Sequence, residues 1–334
     1  MMNLSRIRKL VLVNKFLMRN LTATICLTVG VACVATVGKP AVAHISNKSS
    51  QASNGTSGAS AFGDLQESAM SLAPRGERKC SGCDGLEGFL PPSEISDEIR
   101  QMVGKARGRA DKNKAVAIQK ARGATETGLE AKFIGAAECP EIDSEQWAID
   151  YSHKRPTAAI HKGVDIPQPA STPIRAVAAG TVVGKFLNDN NRKGTEVVLR
   201  HTPEQTGLKY WTYSQYTHMW EMSPLAIGEA VEMGQEVGKT SNTGVMGKRI
   251  RRDALHFSVL YTESPKWSND GRIVIPKESF WMDPNAFYRL DGPYDSQSLK
   301  ALPEDQKKVP VPYMKTDGSF VPTKTKRIWP YPCK

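Results

Sequence analysis

No glycine-rich phosphate loop occurs in the chain, which removes the usual backbone cradle for a nucleotide. No segment repeats at a fixed period, so stacked solenoids are excluded. The strand and helix alternation that builds parallel sheets is also missing. The first 43 residues lack acidic side chains, yet they carry Arg6, Arg8, Lys9, Lys15, Arg19 and Lys39. These six supply more than half of the formal charge of +11, and without them the remainder stands at +5. Little is then left of a charge argument for nucleic acid, which is not an expected partner. Cysteine is sparse, at 6 in 334 residues, and Cys26 and Cys33 fall in the basic leader. The Cys80-Ser81-Gly82-Cys83 motif has no second CxxC with which to form a zinc site, and no thioredoxin-like pattern surrounds it. Cys80, Cys83, Cys139 and Cys333 remain, an even set that predicts structural disulfides in an exported chain. Four cysteines allow about three pairings, and the sequence does not choose among them.

The leader reads as a signal peptide over residues 1–43: a basic start, an apolar run from Leu21 to Val37, then Ala41-Val42-Ala43 as a small-x-small cleavage site before His44. The alternative is an uncleaved membrane anchor, for which an apolar run interrupted by threonines is short. Residues 44–90 form a linker, flexible over the Ser-, Asn- and Gly-rich 44–79 and including the CxxC motif. Residues 91–138 form a basic amphipathic helical segment. Ile95, Ile99, Met102, Val103 and Ala106 share one helical face, Ser93 or Ser96 caps its start, and Gly104 and Gly108 interrupt it. Its basic residues, from Arg100 to Arg122, suit either an anionic polymer or the solvated face of a helix packed on the main domain. The second reading is preferred.

From 139 to 290 the texture changes to short β-branched runs separated by turn residues. Strands are predicted over Ile174–Val183, Thr195–His201, Tyr210–Met219, Ala230–Lys239 and Leu255–Tyr261, a spacing that predicts an antiparallel sheet or sandwich. Residues 262–280 read as an inserted loop walling a cleft. The proline-rich tail, 291–334, predicts no regular structure, but Trp329, Tyr331 and Cys333 predict that its end is pinned to the body.

Within the β-rich part, His161 and Asp165 are separated by three residues, and His256 lies inside an apolar strand-like run. Hydrolytic zinc sites take three His or carboxylate ligands and keep a fourth position open, so His161, Asp165 and His256 are the right kinds and number. His218, closing Tyr216-Thr217-His218, is the candidate for acid or base chemistry. His44, His153 and His201 read as ordinary polar or core residues.

These stretches occur in a telling order: His161-Lys162-Gly163-Val164-Asp165, then Thr172 to Val183, then Tyr216-Thr217-His218, then Ile227-Gly228 to Val237-Gly238, then Leu255-His256-Phe257, then Met282-Asp283-Pro284. Together they resemble the lysostaphin/LytM-type zinc endopeptidases over roughly residues 155–290. The resemblance implies a mostly β fold, with an antiparallel β-sheet core of the duplicated hybrid motif type and here an N-terminal helical extension. It implies one Zn2+ ion held by His161, Asp165 and His256, with His218 as one of two catalytic histidines. The family's second catalytic histidine corresponds to Ala254. The implied substrate is the peptide part of bacterial peptidoglycan, met in the periplasm or at the cell wall. The alternative is an inactive module that binds peptidoglycan or activates a partner cell-wall hydrolase.

Overall fold

The structure is a computed structural model, and it describes residues 80–104, 109–143, 146–154, 158–188, 193–245 and 252–334. The leader and the 44–79 tether lie outside the described residues, as do Lys105 and Arg107 of the basic segment. Among the described residues no helix is long and apolar enough to cross a membrane.

Two short helices come first, α1 (Asp97–Val103) and α2 (Arg109–Ala121). The start of α1 is set by Ser96, whose hydroxyl accepts from the Ile99 amide, and its apolar face buries Ile99, Met102 and Val103. Gly104 ends it. Tertiary packing fixes this helix, since the Trp281 indole donates to the Met102 carbonyl at 3.2 Å. Several of the basic residues here are already engaged. Lys120 pairs with Asp150 at 2.8 Å, and Arg122 pairs with Glu98 at 2.8 Å while lying over the Phe280 ring.

Next come β1 (Glu130–Phe133), β2 (Val164–Pro167), β3 (Pro173–Arg175), β4 (Gly180–Asn188), β5 (Gly194–His201), β6 (Trp211–Met219), β7 (Ala230–Val231), β8 (Glu236–Lys239) and β9 (Ala254–Thr262). They are followed by β10 (Trp267–Asn269), β11 (Val274–Pro276), β12 (Phe280–Met282) and, in the tail, β13 (Lys308–Val311), β14 (Tyr313–Met314) and β15 (Phe320–Val321). The main sheet runs β12-β9-β6-β5-β4-β7, with β2 also on β9, and every pairing in it is antiparallel. The predicted mostly β, antiparallel architecture is the one adopted. One edge of β9 is shared, β2 taking residues 254–257 and β12 taking residues 259–261.

β5 is buried along its whole length, and β6 and β9 nearly so. Apolar residues such as Val197, Leu199, Phe257 and Val259 account for part of this burial, but polar side chains are buried too and need partners. His201 provides an example: Nδ1 bonds the Ala179 carbonyl at 2.7 Å, and Nε2 meets the Ser214 hydroxyl at 2.8 Å. Its desolvation pushes the imidazole pKa down to about 4, so it is a neutral core residue.

Three expectations change. Residues 80–90 are not part of a flexible linker: Cys83 is buried, and the Leu90 amide donates to the Trp267 carbonyl. Residues 262–280 are not simply a loop, because β10 and β11 form a hairpin there with Trp267, Ser268 and Asn269 buried. The tail does form regular structure: β13 pairs in parallel with β1, and β14 pairs with β15. Its end is pinned, with Trp329 donating to the Pro140 carbonyl at 2.8 Å and Cys333 bonded to Cys139. The second disulfide joins Cys80 to Cys83. These are one of the three pairings the sequence left open.

Candidate metal centre

The antiparallel register of β2 on β9 sets Asp165 directly opposite His256, and neighbours of this kind are about 4.5–5.5 Å apart at Cβ. His161 precedes β2 by one short turn and folds back over the same spot. Its Nε2 lies 3.3 Å from Asp165 Oδ1, and His256 Nδ1 lies 2.8 Å from the same oxygen. The three candidate ligand atoms all fall within 4.8 Å of one another, and each residue is half-buried. The structure thus brings the three predicted ligands together.

The donor set fits zinc. With ligand bonds of about 2.0–2.1 Å, a tetrahedral ion holds its ligand atoms roughly 3.3–3.4 Å apart, and the His161–Asp165 separation of 3.3 Å is already at that edge length. Protonation also favours binding. Burial alone would raise the Asp165 carboxyl, but hydrogen bonds from His161 and His256, and their charges, hold it far below the usual carboxylate range. Burial brings His256 down to about 4 against the opposing bond to Asp165, and the charges of His161 and Lys193 act in the same sense as burial. At neutral pH the site presents a carboxylate and a neutral imidazole, the forms in which both coordinate a metal.

Outer contacts orient the ligands. His161 Nδ1 faces the Gln146 carbonyl at 3.4 Å, which leaves Nε2 turned to the centre, and the Tyr151 ring meets His161 edge-on at 6.0 Å. Gly163 matters sterically: a Cβ there would lie 2.6 Å from His256 Nε2 and 2.6 Å from the Phe257 carbonyl oxygen. A glycine between two candidate ligands was the available signal for this close approach.

His218 is placed by a β-bulge. Thr195 pairs with Met219 and Glu196 with Thr217, so His218 is the extra residue of β6, held in the left-handed region at φ 70°. Such a conformation costs a non-glycine residue about 1–3 kcal/mol and turns the side chain out of the ladder's alternation. Its ring centroid is 5.8 Å from that of His256. Nδ1 donates to the Thr243 carbonyl at 3.0 Å, a bond that makes Nε2 the basic nitrogen. Thr243 also ties the bulge, since its hydroxyl donates to the Met219 carbonyl at 2.8 Å and accepts from the Thr195 amide at 3.0 Å. No sequence signal singles out Thr243 beyond its place in an Asn-Thr-Gly turn.

Ala254 is buried on β9, two residues before His256 and therefore on the same side of the strand. Its methyl group offers neither donor nor acceptor. Arg252 is engaged in an ion pair with Asp143, and Asp253 lies just ahead of the strand. His153 lies in a 3-10 turn, Ser152–Lys154, and His201 is in the core, so neither joins the centre. His44 lies outside the described residues.

Residues 159–267 match peptidase family M23. This segment is similar to the members of that family. It contains His161, Asp165, His218 and His256, and it ends at the first residue of β10. Solved structures similar to this chain include LytU, at 22% identity over 44% of this chain and 83% of that one, with a TM-score of 0.32. The catalytic domain of lysostaphin from Staphylococcus simulans gives 22% identity over 30% and 68%, with a TM-score of 0.26. A zinc-containing peptidase from Vibrio cholerae gives 19% over 46% and 41%, with a TM-score of 0.29. A comparison with curated proteins finds no match.

Proposed function

We propose that the chain is an exported zinc metallopeptidase that cuts peptide bonds of bacterial peptidoglycan, working with a single catalytic histidine, His218. The observation that carries this reading is the convergence of His161, Asp165 and His256 on one point inside an M23 segment. When bound, zinc supplies Lewis acidity and lowers the pKa of water toward neutrality. The three ligand residues would hold it, His161 through Nε2, Asp165 through Oδ1 and His256 through Nδ1.

His218 is the residue for proton transfer, with its Nδ1–H held by Thr243 and Nε2 as the exchanging atom. In the peptidase reading, a scissile amide needs a proton on its leaving nitrogen and donors at the developing oxyanion. One imidazole cannot serve both faces equally, and Ala254 supplies nothing in the second position. Loss of one such group typically costs about 10² to 10⁴ in rate, which predicts a slow enzyme. The leader supports export to the periplasm or the cell wall, and the family resemblance supports peptidoglycan as the substrate.

Ala254 favours a second reading, an inactive module that binds peptidoglycan or activates a partner hydrolase. Muropeptide release from purified sacculi by the zinc-loaded chain, beside its His218→Ala variant, separates the two. Slow release that His218→Ala abolishes supports the enzyme. Sacculus binding without release, in zinc-loaded protein, supports the module.

A further inference from the structure

The Glu196 side chain is only 1% exposed, and Lys193 Nζ reaches both of its carboxylate oxygens, at 2.9 and 3.1 Å. A buried carboxylate needs such a partner. The ammonium is the outer member of the pair, since the Lys193 side chain keeps 28% of its surface exposed. The pair therefore stands as a fixed dipole with its positive end outward.

Its place in the sheet is what points to a ligand. Glu196 on β5 lies opposite Thr217 on β6, Thr217 lies opposite His256 on β9, and His256 lies opposite Asp165 on β2. Residues directly opposite one another in antiparallel strands share a face, so this carboxylate stands in one row with two of the candidate metal ligands. Neighbouring strands are about 4.8 Å apart, which sets Glu196 about 10 Å from His256. The backbone of Lys193 also serves the site. Its carbonyl accepts from the His218 amide at 3.2 Å, so the bulge that presents the imidazole anchors the lysine as well. Burial lowers the His256 imidazole, and the charge of Lys193 acts in the same sense, which puts the ammonium within electrostatic reach of the ligands.

We propose that Lys193, oriented by Glu196, is a specificity-determining residue that recognises a carboxylate on the substrate peptide. The inference rests on the peptidase reading, which sets the scissile bond at the metal centre. An extended peptide advances about 3.3 Å per residue, so a group about 10 Å from the centre meets a substrate two or three residues along from that bond. There the ammonium lies nearer to the peptide than the carboxylate beneath it, and an anion is attracted more than it is repelled. A charged carboxylate is then favoured over a neutral amide of the same shape. Glu196 acts through Lys193 and is a positioning residue.

The test is an NMR titration of the metal-free chain with acetylated hexaglycine amides that carry one glutamate, moved one position at a time, each beside its glutamine counterpart. The best glutamate peptide is expected to bind at least tenfold more tightly than its glutamine counterpart, the size of a hydrogen bond to a charged group. It is also expected to shift the amide signals of residues 193–196. Lys193→Met alone would strand a buried carboxylate, so the variant to use is Lys193→Met with Glu196→Leu, which removes both charges and should bind the two peptides alike. Should that variant fail to fold, the location of the shifts in the wild type still decides. Equal binding of glutamate and glutamine peptides, no binding at millimolar concentration, shifts confined to other residues, or a preference that survives in the double variant would each overturn the proposal. Failure of the peptidase reading looks different: sacculi would release no muropeptides while the glutamate preference stands.

Discussion

Replacing Gly163 by alanine adds one methyl group between the two ligands His161 and Asp165. That carbon would sit 2.6 Å from His256 Nε2 and 2.7 Å from its Cε1, about 0.8 Å inside the 3.4 Å at which ordinary contact begins. The ring cannot yield freely, because its Nδ1 is held to Asp165 at 2.8 Å, and the methyl meets the Phe257 carbonyl oxygen at 2.6 Å on its other side. That carbonyl belongs to β9, whose ladders to β2 and β6 resist displacement. A ligand moved by about 0.8 Å against a bond of about 2.0 Å no longer coordinates well. We expect zinc affinity to fall by at least the roughly 10- to 100-fold seen when ligand orientation is lost. Overpacking should lower stability by a further 1–3 kcal/mol or so. The assay is competition with a chromophoric chelator, run beside a urea melt of the metal-free protein. A variant with zinc affinity within twofold of wild type and an unchanged urea midpoint would refute the steric argument.

Ala254→His restores an imidazole on the side of β9 that carries His256, and peptidoglycan hydrolysis should rise by about 10² to 10⁴ if that side chain is the missing acid or donor; an unchanged rate in zinc-loaded protein would count against it. His201 titrates near 4 when folded and near 6.5 when unfolded. Between those values the unfolded chain holds the extra proton, so stability rises with pH across the window, by about 3 kcal/mol in all. Urea midpoints at pH 4.5 and pH 7 should therefore differ less in His201→Gln than in wild type, and equal differences would refute the assignment. Changing Cys139 and Cys333 together to serine opens a covalent loop with a sequence separation of 194 and should cost about 2–4 kcal/mol. An unchanged urea midpoint would show that burial of Trp329 and Tyr331 alone holds the tail.

β5, β6 and β9 of the main sheet were legible because they are β-branched runs with clear turn residues between them, whereas the predicted runs Ile174–Val183 and Ala230–Lys239 each join two strands of different sheets, and β2 and β12 were not predicted. Position 254 stands out only through the family resemblance, which puts a histidine two residues before His256. The tail was misread by weighting its prolines. β13 reads Lys308-Val309-Pro310-Val311 with Val309 and Val311 buried, the period-2 pattern of a strand. It belongs to a two-stranded sheet, where one side of each strand needs no ladder bond, so Pro310 is tolerated. Its pairing with β1 and the Cys139–Cys333 bond join segments far apart in sequence, and local pattern carries no information about such partners. The support of His218 was hidden for a different reason: a bulge and a carbonyl contact from Thr243 are backbone features, which side-chain identity does not announce. The basic segment illustrates the reverse case, since charges that suggest an anionic partner are partly committed to Asp150 and Glu98.

The measurement that tests the account most directly is the metal content of the purified chain after zinc loading and gel filtration, read by mass spectrometry beside Asp165→Ala. The account predicts about one zinc per wild-type chain, the load of one three-ligand site, and a higher melting temperature that a chelator removes. Asp165→Ala should carry almost none. A wild-type chain that emerges free of zinc, with a melting temperature indifferent to chelator, would contradict the assignment of His161, Asp165 and His256 as a metal centre.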